Sequence, residues 1–220
     1  EINRTTRLQF SLEDREVWST EPDVERRYAT RLLATQWNDD RRDNPFDPTR
    51  GLFVEARADY AGGFLSSSNE FVRAQAVWQG YRQLPERWVL AGRLRVGTIE
   101  PVGRGGAGVD SLIEGIPFEE RFHVGGSNSI RGYEENDVGP HQTEETASGE
   151  QIVATGGLSV VLVNLEARFP LVWLLSGGVF LDAGNTWSDP REIKLRRFRD
   201  GLRSNEYDPR NVHYGLGAGL

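Results

Sequence analysis

The sequence predicts an all-β chain folded as one antiparallel sheet of about eight strands. Apolar and polar residues alternate with period two through eight separate segments, as they do in a strand with one apolar and one polar face. Gly, Pro, Asn and Asp clusters punctuate the segments where hairpin turns are needed. No run of about 18 or more apolar residues occurs, so a membrane-spanning helix is excluded. A spanning β-barrel is not excluded, because only alternate residues of each strand would meet lipid. A mean hydropathy of −0.54 suits such a barrel as well as a soluble sandwich.

The segments follow in order. Leu8, Phe10 and Leu12 share one face, opposite Arg7, Gln9, Ser11 and Glu13. Tyr28, Leu32 and Ala34 then stand opposite Arg27, Arg31 and Thr35. Leu52, Val54, Ala56, Ala58 and Tyr60 oppose Glu55, Arg57 and Asp59. Val72, Ala74, Ala76 and Trp78 oppose Arg73, Gln75 and Gln79. Trp88, Leu90, Leu94 and Val96 oppose Arg93 and Arg95. After a long interruption, Val161, Val163, Leu165, Ala167 and Phe169 oppose Asn164, Glu166 and Arg168. Val179, Leu181, Ala183 and Trp187 oppose Asp182, Gly184 and Thr186. Val212, Tyr214, Leu216, Ala218 and Leu220 oppose a glycine row, Gly215, Gly217 and Gly219. Helical periodicity is confined to a short stretch, Glu192 to Phe198, inside a loop.

Alternation does not say which face is inside. A sandwich buries the apolar face; a membrane barrel turns it to lipid around a polar lumen. Two features favour the membrane. Several segments reach the roughly 9–11 residues needed to cross at a tilt. Trp37, Tyr60, Trp88, Trp187 and Tyr214 stand near segment ends, where interfacial aromatic girdles form, although core aromatics of a soluble barrel would read alike. The connections at 84–86 and 170–173 are short, while 99–151 and 188–211 are long. Barrels alternate in this way between periplasmic turns and external loops. The connection 39–50 breaks the rule, and its Asn44-Pro45 and Asp47-Pro48 pairs predict a compact ordered turn.

Composition narrows the chemistry. There is no cysteine, hence no disulfide framework or thiolate metal site. The net charge of −7 argues against a nucleic-acid surface. His123, His141 and His213 lack zinc-motif spacing. Glu134-Glu135 and Glu144-Glu145 are adjacent carboxylates in polar loop sequence and read as solvated charge. Residues 103–108 are glycine-rich without a following Gly-Lys-Ser/Thr, so no phosphate-binding loop is expected. No cofactor and no catalytic constellation is expected, and the chain reads as a non-enzyme. It opens at Glu1 without a leader and stops at Leu220 within a strand pattern, so it reads as a piece of a longer protein.

The interruption reads Phe-His-Val-Gly-Gly-Ser-Asn-Ser-Ile-Arg-Gly-Tyr from Phe122 to Tyr133, followed by Val138-Gly139-Pro140. This stretch resembles the BamA/TamA family of outer-membrane protein assembly factors, also called bacterial surface antigen barrels. The hallmark of that family is a long loop with a Val/Ile-Arg-Gly-Phe/Tyr tetrad after a Gly-Gly pair. Asp43 to Gly51, Asn164 to Pro170 and Val179 to Trp187 are similar to further family elements in the same order, over about residues 5–220.

The resemblance implies that residues 1–220 are the C-terminal part of an antiparallel transmembrane β-barrel. In the family that barrel has about sixteen strands. N-terminal periplasmic domains and the last strands would lie outside this chain. The loop at about 99–151 would fold into the lumen, and the protein would reside in the bacterial outer membrane. The implied partners are unfolded outer-membrane client proteins and outer-membrane lipid. Periplasmic chaperones and assembly lipoproteins, or an inner-membrane partner, would be accessory. Insertion would proceed by lateral strand templating at a weak seam, where an exposed edge pairs with a client strand. Two alternatives stay open: a two-partner secretion pore, and a barrel that anchors or exports a secreted enzyme.

The resemblance also marks a site. Gly125, Gly126, Ile130, Arg131, Gly132 and Tyr133 form its loop-lock motif, with Glu166 and Asp182 as the acidic partners of Arg131 in the lumen. Strand parity by itself puts Glu166 and Asp182 on the polar face. The glycines permit a loop to fold back tightly, and Arg131 offers a planar fork suited to carboxylates.

Overall fold

The computed structural model describes residues 5–21, 24–103, 112–146, 149–172, 175–203 and 207–219. Five strands come first: β1 (Thr5–Glu21), β2 (Val24–Asp40), β3 (Gly51–Ala61), β4 (Phe71–Gln83) and β5 (Val89–Pro101). A small hairpin, β6 (His141–Thr146) and β7 (Gly149–Ala154), interrupts the series. The strands β8 (Ser159–Pro170), β9 (Ser176–Trp187) and β10 (His213–Gly219) complete it. Among the described residues eight strands make one sheet in the order β1-β2-β3-β4-β5-β8-β9-β10, and β6 pairs with β7. Every pairing is antiparallel. The eight expected segments coincide with the eight sheet strands to within a residue or two at their cores. β1 and β2 run well beyond the expected segments, while the β6–β7 hairpin is an addition within a connection read as loop.

One face of the sheet displays its large apolar side chains. Leu8, Phe10 and Leu12, Val72 and Trp78, Leu90, Leu94 and Val96, Leu165, Val179, Leu181 and Leu216 are all exposed. A soluble sandwich would bury these residues, so their display marks the lipid face of a membrane sheet. Among the described residues no helix is long and apolar enough to cross a membrane.

β2 departs from the expected facing. The register Phe10↔Thr35 and Leu12↔Leu33 turns Leu33, Thr35 and Trp37 outward. Leu32 and Ala34 point inward and are 0% and 1% exposed. The grouping of Leu32 and Ala34 on the outer apolar face is therefore reversed, and the side chain of Tyr28 lies outside the described residues. The cause is an inner core that alternation does not anticipate. Leu32, Ala34, Ala61, Phe71, Ile99, Val160 and Leu162 of the sheet meet Ile116, Phe122, Val124, Ile130, Val138 and Leu158 of the 102–158 connection. Burial stabilises apolar surface whichever face it lies on.

The aromatic assignments are also corrected. Trp37 and Trp88 stay exposed on the outer face, Trp88 stacked on Phe169 at 4.8 Å. Trp187 is 1% exposed, and its indole N–H donates to the Arg210 carbonyl at 2.8 Å, so it belongs under the 188–212 connection and not to a girdle. The Tyr214 hydroxyl donates to the Phe198 carbonyl at 2.6 Å in the same connection. That connection carries α1 (Leu195–Arg203), which begins later than the expected 192–198 because Pro190–Glu192 form a separate 3-10 turn.

The antiparallel order places the connections 62–70, 102–158 and 188–212 at one end and 41–50, 84–88 and 171–175 at the other. The 41–50 turn is compact. The Asp43 carboxylate accepts from the backbone N–H groups of Asn44, Thr49 and Arg50 and from the Thr49 hydroxyl. Partial desolvation pushes this carboxyl up, but those donors outweigh it and bring it down to about 2. Arg168 of β8 reaches the turn from inside, bonding Asp47 at 2.8 Å and the Pro48 carbonyl at 2.7 Å.

Candidate functional site

The 102–158 connection runs into the interior before it returns to β8. One of its anchors is Glu120, a carboxylate 3% exposed. Arg73 of β4 donates to its carboxylate at 3.0 Å and to its carbonyl at 3.1 Å, and Arg15 of β1 donates at 3.1 Å. Arg73 and Arg57 both bond Asp59, while Arg57 and Arg15 both bond Glu13. Three carboxylates and three guanidinium groups thus close one neutral network, which makes burial of Glu120 tolerable.

The chain then forms a compact tip. Gly125 and Gly126 have φ of +118° and +86°, angles that side chains resist. The reversal they permit lets Gly125 N–H donate to the Ser129 hydroxyl at 2.7 Å and Gly126 N–H to the Tyr133 carbonyl at 3.1 Å. Ile130 is fully buried in the inner core, with Tyr133 packed against it. Tyr133 also meets His213 edge-on at 5.6 Å.

Arg131 points the other way, onto β8 and β9. Its Nε and Nη2 donate to the two Asp182 oxygens at 2.8 and 2.9 Å, and its backbone N–H adds a bond at 3.0 Å. Nη1 donates to Glu166 at 2.9 Å. Asp182 is 0% exposed and takes a fourth bond from the Asn164 side-chain amide at 2.9 Å. The guanidinium plane lies 3.5 Å from the centroid of the Phe180 ring, a stacking that Arg favours over Lys. An open cavity of about 380 Å³ begins beside the pair, lined by Arg131, Glu166 and Phe180.

The structure brings Arg131, Glu166 and Asp182 into direct contact, places Ile130 and Tyr133 in the packing beneath them, and puts Gly125, Gly126 and Gly132 at positive φ. It adds residues that sequence reading passed over. Asn164 bridges the tip and the acid, donating to the Ser129 carbonyl at 2.6 Å as well as to Asp182. Phe180 is the stacking platform; an aromatic at the polar parity of its strand was the available signal. Gly215 of the bare row on β10 leaves room for the tip, since a Cβ there would lie 2.2 Å from the Arg131 carbonyl oxygen. Glu120 gave no local signal, because its partners are on strands far away in the chain.

A model of the Omp85 superfamily domain matches residues 3–220. The chain is similar to outer membrane protein assembly factor BamA of Nitratidesulfovibrio vulgaris, 34% identical over 127 residues, which are 58% of this chain and 14% of that protein. It is 29% identical over 156 residues to BamA of Neisseria meningitidis serogroup B, covering 69% of this chain and 18% of the relative. A SAM50-like protein of Schizosaccharomyces pombe is 27% identical over 142 residues, 63% of this chain and 26% of its own. The crystal structure of BamA from Haemophilus ducreyi lacking POTRA domains 1–3 superposes with a TM-score of 0.66 at 20% identity, over 91% of this chain and 38% of that one. This last likeness concerns the fold. The chain spans under a fifth of the length of the two curated BamA relatives.

Proposed function

Because the chain belongs to the Omp85 superfamily, we propose that it is the C-terminal part of the barrel of a protein that assembles other proteins into the bacterial outer membrane. In this reading the whole protein also has N-terminal periplasmic domains that receive unfolded clients, together with the remaining barrel strands. Periplasmic chaperones and lipoproteins, or an inner-membrane partner, deliver those clients. Client strands pair at a weak seam of the barrel and leave laterally into lipid.

The observation that carries the reading is the loop tip held on the inner wall by Arg131. A tip packed on one side and ion-paired on the other occupies the inner side of the sheet between β2 and β9. A tip fixed there favours a route along a sheet edge over one through a pore. The role proposed for Arg131, Glu166 and Asp182 is mechanical. Asp182 already accepts four hydrogen bonds, three of them from Arg131. No lone pair is left to act as a base or metal ligand, so no enzymatic step is proposed.

Reconstitution tests this. Full-length protein in lipid vesicles should speed the folding of a urea-unfolded outer-membrane barrel client, read as heat-modifiable migration on gels. The Arg131→Ala protein should do so more slowly while remaining inserted itself. If client folding is unchanged by the protein, and its loss from cells abolishes export of one secreted protein only, the reading gives way to a dedicated secretion pore.

A further inference from the structure

The 188–212 connection differs in charge from the rest of the molecule. Residues 190–203 carry six basic side chains against two acidic ones, in a chain of net charge −7. Most of them lie on α1. Leu195, Phe198 and Leu202 follow i, i+3, i+7 spacing and form one stripe. Arg196, Arg199 and Arg203 repeat that spacing one residue on, about 100° around the helix. The three arginines are exposed, and so are Leu202, at 68%, and Ile193 just ahead of the helix. Among the described residues, Arg199 meets Asp200 at 3.7 Å, and Glu192 faces Arg210 at 3.9 Å. Both contacts are on open surface, where ion pairs contribute little.

The helix is held in a defined place. The Val212 N–H donates to the Arg197 carbonyl at 3.3 Å, and Tyr214 of β10 bonds the Phe198 carbonyl. Gly201 rests on Val212 so closely that a Cβ would lie 2.0 Å from its carbonyl oxygen. Ile193 borders a groove of about 620 Å³ on the outward face of the sheet, shared with Ala58, Thr98 and Val161. The segment therefore lies over the lipid-facing surface, at the end where the long connections emerge, and not over the lumen.

We propose that α1 is an interfacial anchor that binds the phosphorylated headgroups of the leaflet at that end of the barrel. Exposed Leu202 dips below the headgroups, and the arginine stripe lies level with them. A helix with an apolar stripe beside a cationic one is the form that settles in a membrane interface. Arginine's planar fork matches phosphate oxygens, which adds to its charge. This role is independent of client assembly and would survive the failure of that reading.

The test uses full-length protein with Leu202→Cys labelled by an environment-sensitive fluorophore; the chain has no native cysteine, and any elsewhere in the protein is changed to serine. The protein is reconstituted into phosphatidylcholine vesicles, or into vesicles also containing phosphatidylglycerol or lipid A. With anionic lipid the label should shift to the blue and be quenched by nitroxide-bearing lipid, and added salt should reverse both. Replacing Arg196, Arg199 and Arg203 with glutamine should weaken this binding by roughly fivefold per arginine. Equal emission in neutral and anionic vesicles would overturn the proposal, as would an absence of salt dependence in the unsubstituted helix. The same shift in neutral vesicles on adding inorganic phosphate would identify a free-anion site and overturn it too.

Discussion

Arg131 joins two kinds of interaction that are usually separate. Its side chain forms charge-assisted hydrogen bonds, worth about 1.5–3 kcal/mol each in such settings, while its neighbour Ile130 is wholly buried, worth about as much again. Neither alone holds the tip. Arg131→Ala should therefore loosen residues 125–133 and expose them to protease without detaching the rest of the connection, and Asp182→Ala should do the same. The double variant should be little worse than either single one, because both remove the same contact. Arg131→Lys should be intermediate, keeping the charge but losing the fork and the stack on Phe180. Limited proteolysis of the four proteins in detergent checks this, and fully additive defects would refute it.

At the scale of elements, the loop has two anchors of opposite sign. Glu120 is an acid held by arginines of β1 and β4, and Arg131 is a base held by acids of β8 and β9. They share no partner. Glu120→Gln should increase exchange of backbone amides around 116–122, and its effect should add to that of Arg131→Ala, in contrast with the Arg131–Asp182 pair. Hydrogen exchange resolved by segment measures both; non-additivity would mean that the anchors form one unit. The 41–50 turn has its own electrostatic hinge. Asp43 has a folded-state value of about 2 against 3.8 ordinarily, so its contribution is complete above about pH 4 and is lost as pH falls through 2. Amide protection at Thr49 and Arg50 should be steady from pH 7 to 5 and decline between pH 4 and 2. Protection unchanged at pH 2 would remove Asp43 from the account.

Among the described residues the chain forms an open sheet with its apolar side turned out. β1 and β10 each have one neighbour in the sheet, and an unpaired edge in lipid leaves backbone groups unsatisfied at several kcal/mol each. The isolated 220-residue chain should therefore fail to form a stable closed barrel in detergent, whereas the full-length protein should sediment with outer membranes and migrate differently before and after boiling. A monodisperse, protease-resistant, heat-modifiable fragment would contradict this.

The eight strands of the main sheet and the apolar face of seven of them were legible in the sequence. A pleat with one side in lipid writes its period into adjacent residues, and Leu8, Phe10 and Leu12 need no distant partner to be read. The parity of Glu166 and Asp182 followed in the same way. The facing of β2 did not, because apolar Leu32 and Ala34 are buried by Ile130 and its neighbours about a hundred positions away, and alternation cannot tell a residue covered by lipid from one covered by a loop. Trp187 was misread for the same reason, its cover coming from Arg210. Glu120, Asn164, Phe180 and Gly215 took on their roles only when remote strands met. Period-two alternation is a local property of the chain, whereas what packs against each face is decided by contacts between residues far apart in it.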